Sequence, residues 1–261
     1  MSKTIGSSAV LQSGTPLTSL WGYNSPGSTV TVELSLGTPL VPPVVAGSDG
    51  VWIAAIPALP VIATPFSINV STAGSPSILL SDMLAGHVIL CSGQSNLQLS
   101  IQMALNASEE IAALDAYGAT VRVYYNDGAA STLPSPDVST PRIPWSRLSS
   151  ATAGASSWGG FSATCWYTGR ALWRELGSGK VPIGLVESAV GGTAIRQWSP
   201  VEALALCPQP YNSPKPYGTA PYQHSTLYNA QIAPYGTGPT QFAAVVWDQA
   251  ESDSFPQTPP E

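Results

Sequence analysis

The sequence has 261 residues, which is enough for one large domain or two small ones. Hydrophobic residues make up 44% of it, charged residues make up only 9%, and the formal net charge is −6. This composition supplies a sizeable core and excludes nucleic-acid binding through a basic surface. The 24 glycines and 25 prolines indicate many turns and long surface loops.

The sequence shows no signal for export, a membrane span or a metal centre. Residues 1–6 do not begin an apolar segment of the length that a signal peptide needs, and no run of 18 apolar residues predicts a transmembrane helix. A zinc site needs clustered thiolates or imidazoles, but the three cysteines are far apart in the sequence. They are Cys91, Cys165 and Cys207. We interpret them as free thiols, with one disulfide plus one free thiol as the alternative, and we expect no metal.

The first 80 or so residues predict short β-strands separated by turn signals. Four segments alternate or are rich in β-branched residues: 29–34, 51–56, 66–70 and 77–80. Strands at this spacing are typical of a small antiparallel sandwich. We therefore assign residues 1–82 to an N-terminal β-sandwich domain, with the proline-rich residues 39–45 as a loop or an edge.

From residue 83 onward, apolar strands alternate with predicted helices. The predicted strands are residues 87–91, 120–125, 181–186 and 242–247, and the predicted helices are 97–117, 160–176 and 224–233. This order is typical of α/β proteins, and strands without polar alternation fit a parallel sheet with helices on both faces. We assign residues 83–261 to this α/β domain, with long loops at 128–158 and 207–221.

Candidate site residues follow the predicted strands at the end where α/β proteins bind ligands. Ser95 follows the first of these strands, Gly191 and Gly192 follow the third, and Gln249 follows the fourth. A serine at a tight strand-to-helix turn presents its hydroxyl to a ligand, and nearby N–H groups face a developing oxyanion. The alternatives are an N-cap for Ser95, a plain turn for the two glycines and a strand cap for Gln249.

Several stretches of the sequence resemble the sialate O-acetylesterase family of the SGNH hydrolase superfamily, in the family's order. They are residues 10–12, 20–22, 81–91, 92–96, 180–186, 191–198, 227–234 and 247–253. The resemblance implies an SGNH-hydrolase-like, flavodoxin-like parallel sheet that follows the small antiparallel β-sandwich. It also implies hydrolysis of O-acetyl esters on sialic acids or other acetylated sugars, with a small-molecule or glycan substrate and no cofactor.

The resemblance assigns roles position by position. Ser95 matches the nucleophile that forms an acyl-enzyme, and its own N–H would help to hold the oxyanion. Gly192 would donate a second N–H, and Gln249 matches the family's side-chain donor to the oxyanion. The other residues expected to bind substrate or support the site are Gln94, Asn96, Gly191 and Glu251.

The sequence departs from the family pattern in ways that bear on activity. Ala250 stands where the family usually has glycine, and His87 stands where it usually has an acid. The family's general base lies in a downstream Asp-x-x-His block, and no such pattern occurs here. His224 is an alternative base without a counterpart in the family. Two interpretations remain: an esterase, or a truncated, inactive or carbohydrate-binding form. Neither the compartment nor the oligomeric state is indicated.

Overall fold

The computed structural model describes residues 1–14, 18–38, 40–126, 128–154, 158–206, 224–237 and 241–254. Within these ranges the strands are β1 (Val10–Gln12), β2 (Thr18–Tyr23), β3 (Thr29–Leu34), β4 (Val44–Val45), β5 (Val51–Ile56), β6 (Ile62–Thr72), β7 (Ile78–Gly93), β8 (Val121–Tyr125), β9 (Ile143–Arg147), β10 (Ile183–Ala189) and β11 (Ala244–Asp248). The α-helices are α1 (Ser95–Gln98), α2 (Ala107–Ala113), α3 (Ser150–Ala153), α4 (Ala163–Glu175), α5 (Val201–Ala205), α6 (Ala233–Thr237) and α7 (Glu251–Ser254). The predicted loop at 207–221 lies wholly outside the described residues.

Strand β7 connects the two parts of the nine-stranded sheet, because each of its halves pairs with different strands. Its first half pairs antiparallel with β6 and parallel with β1. Its second half lies between two parallel neighbours, β10 and β11. The strand runs unbroken across residue 82, so the division of the chain at that residue stays a prediction.

The second part of the chain forms the predicted parallel sheet. Strands β11, β7, β10 and β8 are parallel neighbours in that order, and helices lie on both sides of the sheet. The antiparallel strand β9 pairs with β8 inside the segment that we predicted as a long loop, so that prediction is wrong there. In β9 only Ile143 and Trp145 are buried. This alternation of buried and exposed residues is too short to be recognised among the surrounding Ser- and Pro-rich residues. No helix in the described ranges has the length and apolarity needed to cross a membrane.

The N-terminal part forms the predicted antiparallel sheets. Strands β2 and β5 pair with each other, while β4, β3, β6 and the first half of β7 form the opposing layer. Alternate side chains of β3 and β5 are buried, as the period-two pattern predicts. Burial of one face on each sheet supplies the hydrophobic free energy of this part of the fold.

One hydrophobic core joins the N-terminal strands to the α/β sheet. Tyr124 and Trp145 of the α/β part pack in the same cluster as the buried side chains of β3 and β5. The Tyr124 hydroxyl donates to the carbonyl of Lys3 at 3.0 Å, and Trp145 Nε1 donates to that of Thr4 at 2.9 Å. The first residues of the chain are therefore anchored on the α/β sheet.

The predicted helix at 97–117 is divided into short pieces, so its prediction as one helix is wrong. Ser100 is extended, because its backbone forms a bridge with Ser162. Asn106 adopts a left-handed conformation with φ 57°, and α2 begins after it. The remaining turns are 3₁₀-helices at Ile101–Met103 and Leu114–Tyr117. Contacts with a distant segment thus override the local apolar periodicity.

Cys91 and Cys165 form a disulfide, so the interpretation of both as free thiols is wrong. The alternative with one disulfide is the one observed, and Cys207 lies outside the described residues. The two cysteines are 74 residues apart, on β7 and α4. Because only the packing of the helix on the sheet brings them together, their spacing gave no indication of the pair.

Candidate active site at the carboxyl ends of the strands

The predicted site residues converge at one edge of the parallel sheet. Gly93 is the last residue of β7, and it pairs in register with Ala189 of β10 and Asp248 of β11. The three strands therefore end side by side. Ser95, the glycine pair and Gln249 each follow one of these ends within three residues. This is the edge at which ligands bind in α/β sheets.

The turn that carries Ser95 depends on a glycine. Gly93 has a φ of +142°, and a Cβ at this position would lie 1.9 Å from the carbonyl oxygen of Asp248. The chain then enters α1, with Gln94 as the helix cap and Ser95 as the first helical residue. The cap is therefore not the role of Ser95. Within the described ranges its hydroxyl and its N–H have no hydrogen-bond partner, and the residue is half-buried.

The loop after β10 leaves one exposed amide without an acceptor. Four amides of this loop are engaged: Val190 with Gly93 O at 3.1 Å, Gly191 with Gln98 Oε1 at 2.9 Å, Ala194 with Gln197 Oε1, and Ile195 with Asp253 Oδ2 at 2.9 Å. Thr193 is buried, and its N–H has no acceptor among the described residues. Across the part of the chain that the structure describes, the N–H of Gly192 has no acceptor. Gly192 is exposed and has a φ of +72°, a conformation that favours glycine.

Gly191 brings this loop into contact with the serine. A Cβ at Gly191 would lie 3.3 Å from the Cβ of Ser95 and 3.1 Å from Gln98 Oε1. A larger residue would therefore push the loop away from the serine. The residue directly before Gly192 therefore lies against the Ser95 side chain.

Gln249 links three segments of the site through its side chain. Its Nε2 donates to Gln94 Oε1 at 2.9 Å, to the carbonyl of Thr193 at 2.7 Å and to Asp253 Oδ2 at 2.9 Å. Three acceptors therefore share two N–H hydrogens. A hydrogen bond from Gln249 to an oxyanion would replace one of these contacts.

Asn96 and Glu251 meet across the same edge. Asn96 Nδ2 donates to Glu251 Oε1, which ties α1 to the start of α7. Gln94 is buried, and its Oε1 also accepts the backbone N–H of Ser252 at 3.2 Å. These contacts bring Gln94, Asn96 and Glu251 together at the strand ends, and their supporting role stays a prediction.

Neither histidine donates to or accepts from Ser95. His87 pairs with Ile183 at the start of the parallel part of β7, about 20 Å from the end of the strand at 3.3 Å per residue. His224 is half-buried, and burial, followed by the nearby charge of Arg196, lowers its pKa. Its imidazole is therefore neutral at pH 7. In the described part of the chain no group of three His, Cys, Asp or Glu side chains could hold a metal ion.

Three residues that we did not predict contribute to the site. Gln98 accepts the N–H of Gly191, Asp253 accepts that of Ile195, and the buried Glu187 accepts that of Ser162 at 2.7 Å. Gln98 could have been found from its position three residues after Ser95, on the same helical face. The partners of Asp253 and Glu187 are too distant in sequence to be recognised from spacing.

The parallel sheet, the serine turn and the adjoining Gly-Gly loop define a protein of the SGNH-hydrolase-like class. Residues 144–259 match the family model described as carbohydrate esterase, sialic acid-specific acetylesterase. The chain is 33% identical to the sialate O-acetylesterases of Homo sapiens and Pongo abelii, over 95% of its own length and 48% of theirs. A carbohydrate acetylesterase from Xanthomonas citri has a similar crystal structure, with a TM-score of 0.78 and 26% identity, covering 95% of this chain and 50% of that one.

Within this class the chain is similar to the sialate O-acetylesterase family. The predicted resemblance and the predicted fold class are both confirmed. The chain spans about half the length of the curated relatives that it matches.

Proposed function

We propose that this chain is a serine esterase that removes O-acetyl groups from sialic acids or other acetylated sugars. The observation that carries the proposal is the pairing of a free Ser95 hydroxyl with two free amides, those of Ser95 and Gly192, at the ligand-binding edge of the sheet. The names of the relatives, sialate O-acetylesterase and carbohydrate acetylesterase, support the substrate class.

The reaction follows from these groups. Ser95 Oγ attacks the acetyl carbonyl carbon, the bond from that carbon to the sugar oxygen breaks, and the proton lost by the Ser95 hydroxyl ends on the sugar oxygen, which leaves as a hydroxyl. Water then cleaves the acetyl-serine ester, which releases acetate and restores the hydroxyl. The amides of Ser95 and Gly192 stabilise the oxyanion in both steps, and losing one such donor typically costs about 2.7–4 kcal/mol. The backbone donors are already free, whereas Gln249 must exchange one of its three acceptors for the oxyanion.

The first experiment measures acetate release from an aryl acetate and from an O-acetylated sialic acid, with the unmodified chain and with Ser95→Ala. We expect turnover in the unmodified chain and a loss of at least about a thousandfold in the variant, because the serine forms the covalent intermediate. Equal rates in both proteins, or no turnover in either, would contradict the proposal and favour a non-catalytic carbohydrate-binding form.

A second variant, His224→Gln, tests whether an unrecognised base is present. We expect its turnover to stay within about threefold of the unmodified chain, because Ser95 has no hydrogen bond with this imidazole. A loss of hundredfold or more, together with the loss of the acidic limb of the pH–rate profile, would instead identify His224 as the base.

A further inference from the structure

Gln98 connects the serine helix to the glycine loop. It is the last residue of α1, three positions after Ser95, and therefore lies on the same side of the helix. Its Oε1 accepts the N–H of Gly191 at 2.9 Å, and its Nε2 donates to the hydroxyl of Tyr125 at 3.0 Å. A backbone N–H can only donate, so the amide oxygen must face Gly191 and the amide nitrogen must face Tyr125.

The far end of this connection is buried in the sheet. Tyr125 is the last residue of β8, is only 1% exposed, and pairs in register with Glu187 of β10. Arg142 lies over its ring at 5.6 Å from the centroid. Gln98 is thus fixed by the sheet itself, and it holds Gly191 at a defined position beside Ser95.

The amide of Gly191 is consequently unavailable to a substrate. Two consecutive glycine amides lie in the loop after β10. The amide of Gly191 donates to Gln98, while the amide of Gly192 has no acceptor in the described part of the chain. We propose that Gln98 is a positioning residue that holds Gly191 so that the amide of Gly192 is the one presented to the acetyl oxygen. This inference rests on the proposed function, because it specifies how one of the two oxyanion donors is placed.

The test compares two replacements of Gln98 with a control. Gln98→Glu keeps an acceptor for Gly191, whereas Gln98→Leu has a similar volume and no acceptor. Gln102→Leu removes an exposed glutamine four residues further along the chain, in the 3₁₀-helix Ile101–Met103, and serves as the control. We expect Gln98→Leu to lower kcat about 10- to 100-fold with KM within about twofold, since a displaced donor weakens binding of the transition state. Gln98→Glu restores kcat to within about fivefold of the unmodified chain.

Hydrogen exchange at the Gly191 amide provides a readout that does not depend on activity. Followed by NMR, this amide should exchange at least about tenfold faster in Gln98→Leu, and at the original rate in Gln98→Glu and Gln102→Leu. Unchanged exchange in Gln98→Leu, or a kcat equal to that of the unmodified chain, would overturn the inference. Absence of Ser95-dependent turnover in the unmodified chain contradicts the proposed function instead, and the exchange rates then decide the role of Gln98 in placing the loop.

Discussion

At the scale of single residues, the backbone at the site is held in unusual conformations on two adjacent strands. Gly93 on β7 has a φ of +142°, and Ala250, just after β11, has a φ of +144°. Glycine adopts such values without cost, whereas a residue with a Cβ does so at about 1–3 kcal/mol. The resemblance implies glycine at position 250, so this chain carries a strained residue beside Gln249.

Replacing Ala250 with glycine should therefore stabilise the protein. We expect the free energy of unfolding to rise by about 1 kcal/mol, because the strain from the Cβ is removed. Urea titration followed by circular dichroism measures the change. Ala112→Gly, at an exposed position in α2, is the control and should lower the free energy of unfolding by about 0.5–1 kcal/mol. A loss of stability in both variants would show that Ala250 is not strained.

At the scale of elements, a buried carboxyl holds together the pieces that carry Ser95. Glu187 on β10 is fully buried and accepts the backbone N–H of Ser162, the cap of α4. The Ser162 hydroxyl donates in turn to the carbonyl of Leu97 in α1 and accepts from the N–H of Cys165. Burial raises the pKa of Glu187 well above its ordinary value, despite the hydrogen bond from Ser162 and the charge of Arg142. The carboxyl is therefore protonated in the folded state under conditions where it ionises in the unfolded chain.

Because the Glu187 carboxyl holds its proton in the folded state, the free energy of unfolding depends on pH. The folded state binds the proton more tightly, so the contribution of Glu187 is complete below the ordinary glutamate pKa of about 4.3 and is lost as the pH rises through the folded-state pKa. Glu187→Gln keeps the acceptor for Ser162 and cannot ionise. We expect the free energy of unfolding of this variant, measured between pH 5 and pH 9, to fall less steeply than that of the unmodified chain. Parallel curves, matching those of the exposed control Glu109→Gln, would refute the assignment.

The disulfide between Cys91 and Cys165 fastens α4 to β7 behind the same site. It closes a loop of 74 residues, and removing a cross-link of this kind typically costs about 2–5 kcal/mol. We expect the double variant Cys91→Ala, Cys165→Ala to lose stability by that amount in urea. In the unfolded, unreduced chain an alkylating reagent should modify one of the three cysteines, and all three after reduction. Modification of all three before reduction would show that the bond is absent.

At the scale of the whole molecule, an ion-pair cluster lies at the bend where β7 passes from one part of the fold to the other. Asp82, with φ 59°, contacts the buried Arg122 at 3.2 Å and Arg147 at 2.7 Å. Burial acts to raise the pKa of Asp82, but hydrogen bonds from Arg147 and Ser8 and the charge of Arg122 outweigh it. The pKa therefore lies below its ordinary value, and the carboxylate is the form that stabilises the fold.

Asp82→Asn should weaken the connection between the two parts. Asparagine tolerates the left-handed conformation, so the variant removes the charge and leaves Arg122 buried without its anion. We expect a loss of about 3 kcal/mol in the free energy of unfolding at pH 7. Because the Asp82 contribution is present above the ordinary aspartate pKa and is lost as the pH falls through the folded-state pKa, the difference should shrink in acid. The exposed control Asp115→Asn keeps an acceptor for the backbone N–H of Ser150 and should change stability by less than about 1 kcal/mol. A constant difference at every pH would contradict this account.

Local patterns determined the elements that depend on neighbours in the sequence. The strands at 29–34 and 51–56 have the predicted bounds, since alternation and turn residues specify a half-buried strand. The order of strands and helices predicted the parallel sheet, and it placed Ser95, the glycine pair and Gln249 at one edge. The resemblance to the family followed from several motifs in order, each of them readable within a few residues.

Only the tertiary structure decided which groups contact each other across long separations. It joined Cys91 to Cys165, divided the helix predicted at 97–117 by pairing Ser100 with Ser162, and placed β9 within a predicted loop. It also left the amide of Gly192 open by giving that of Gly191 to Gln98. Composition and periodicity report burial and local geometry, whereas a hydrogen bond or a disulfide between distant residues depends on packing that brings their atoms within about 3 Å or less. Whether a predicted donor is free is therefore a property of the folded chain.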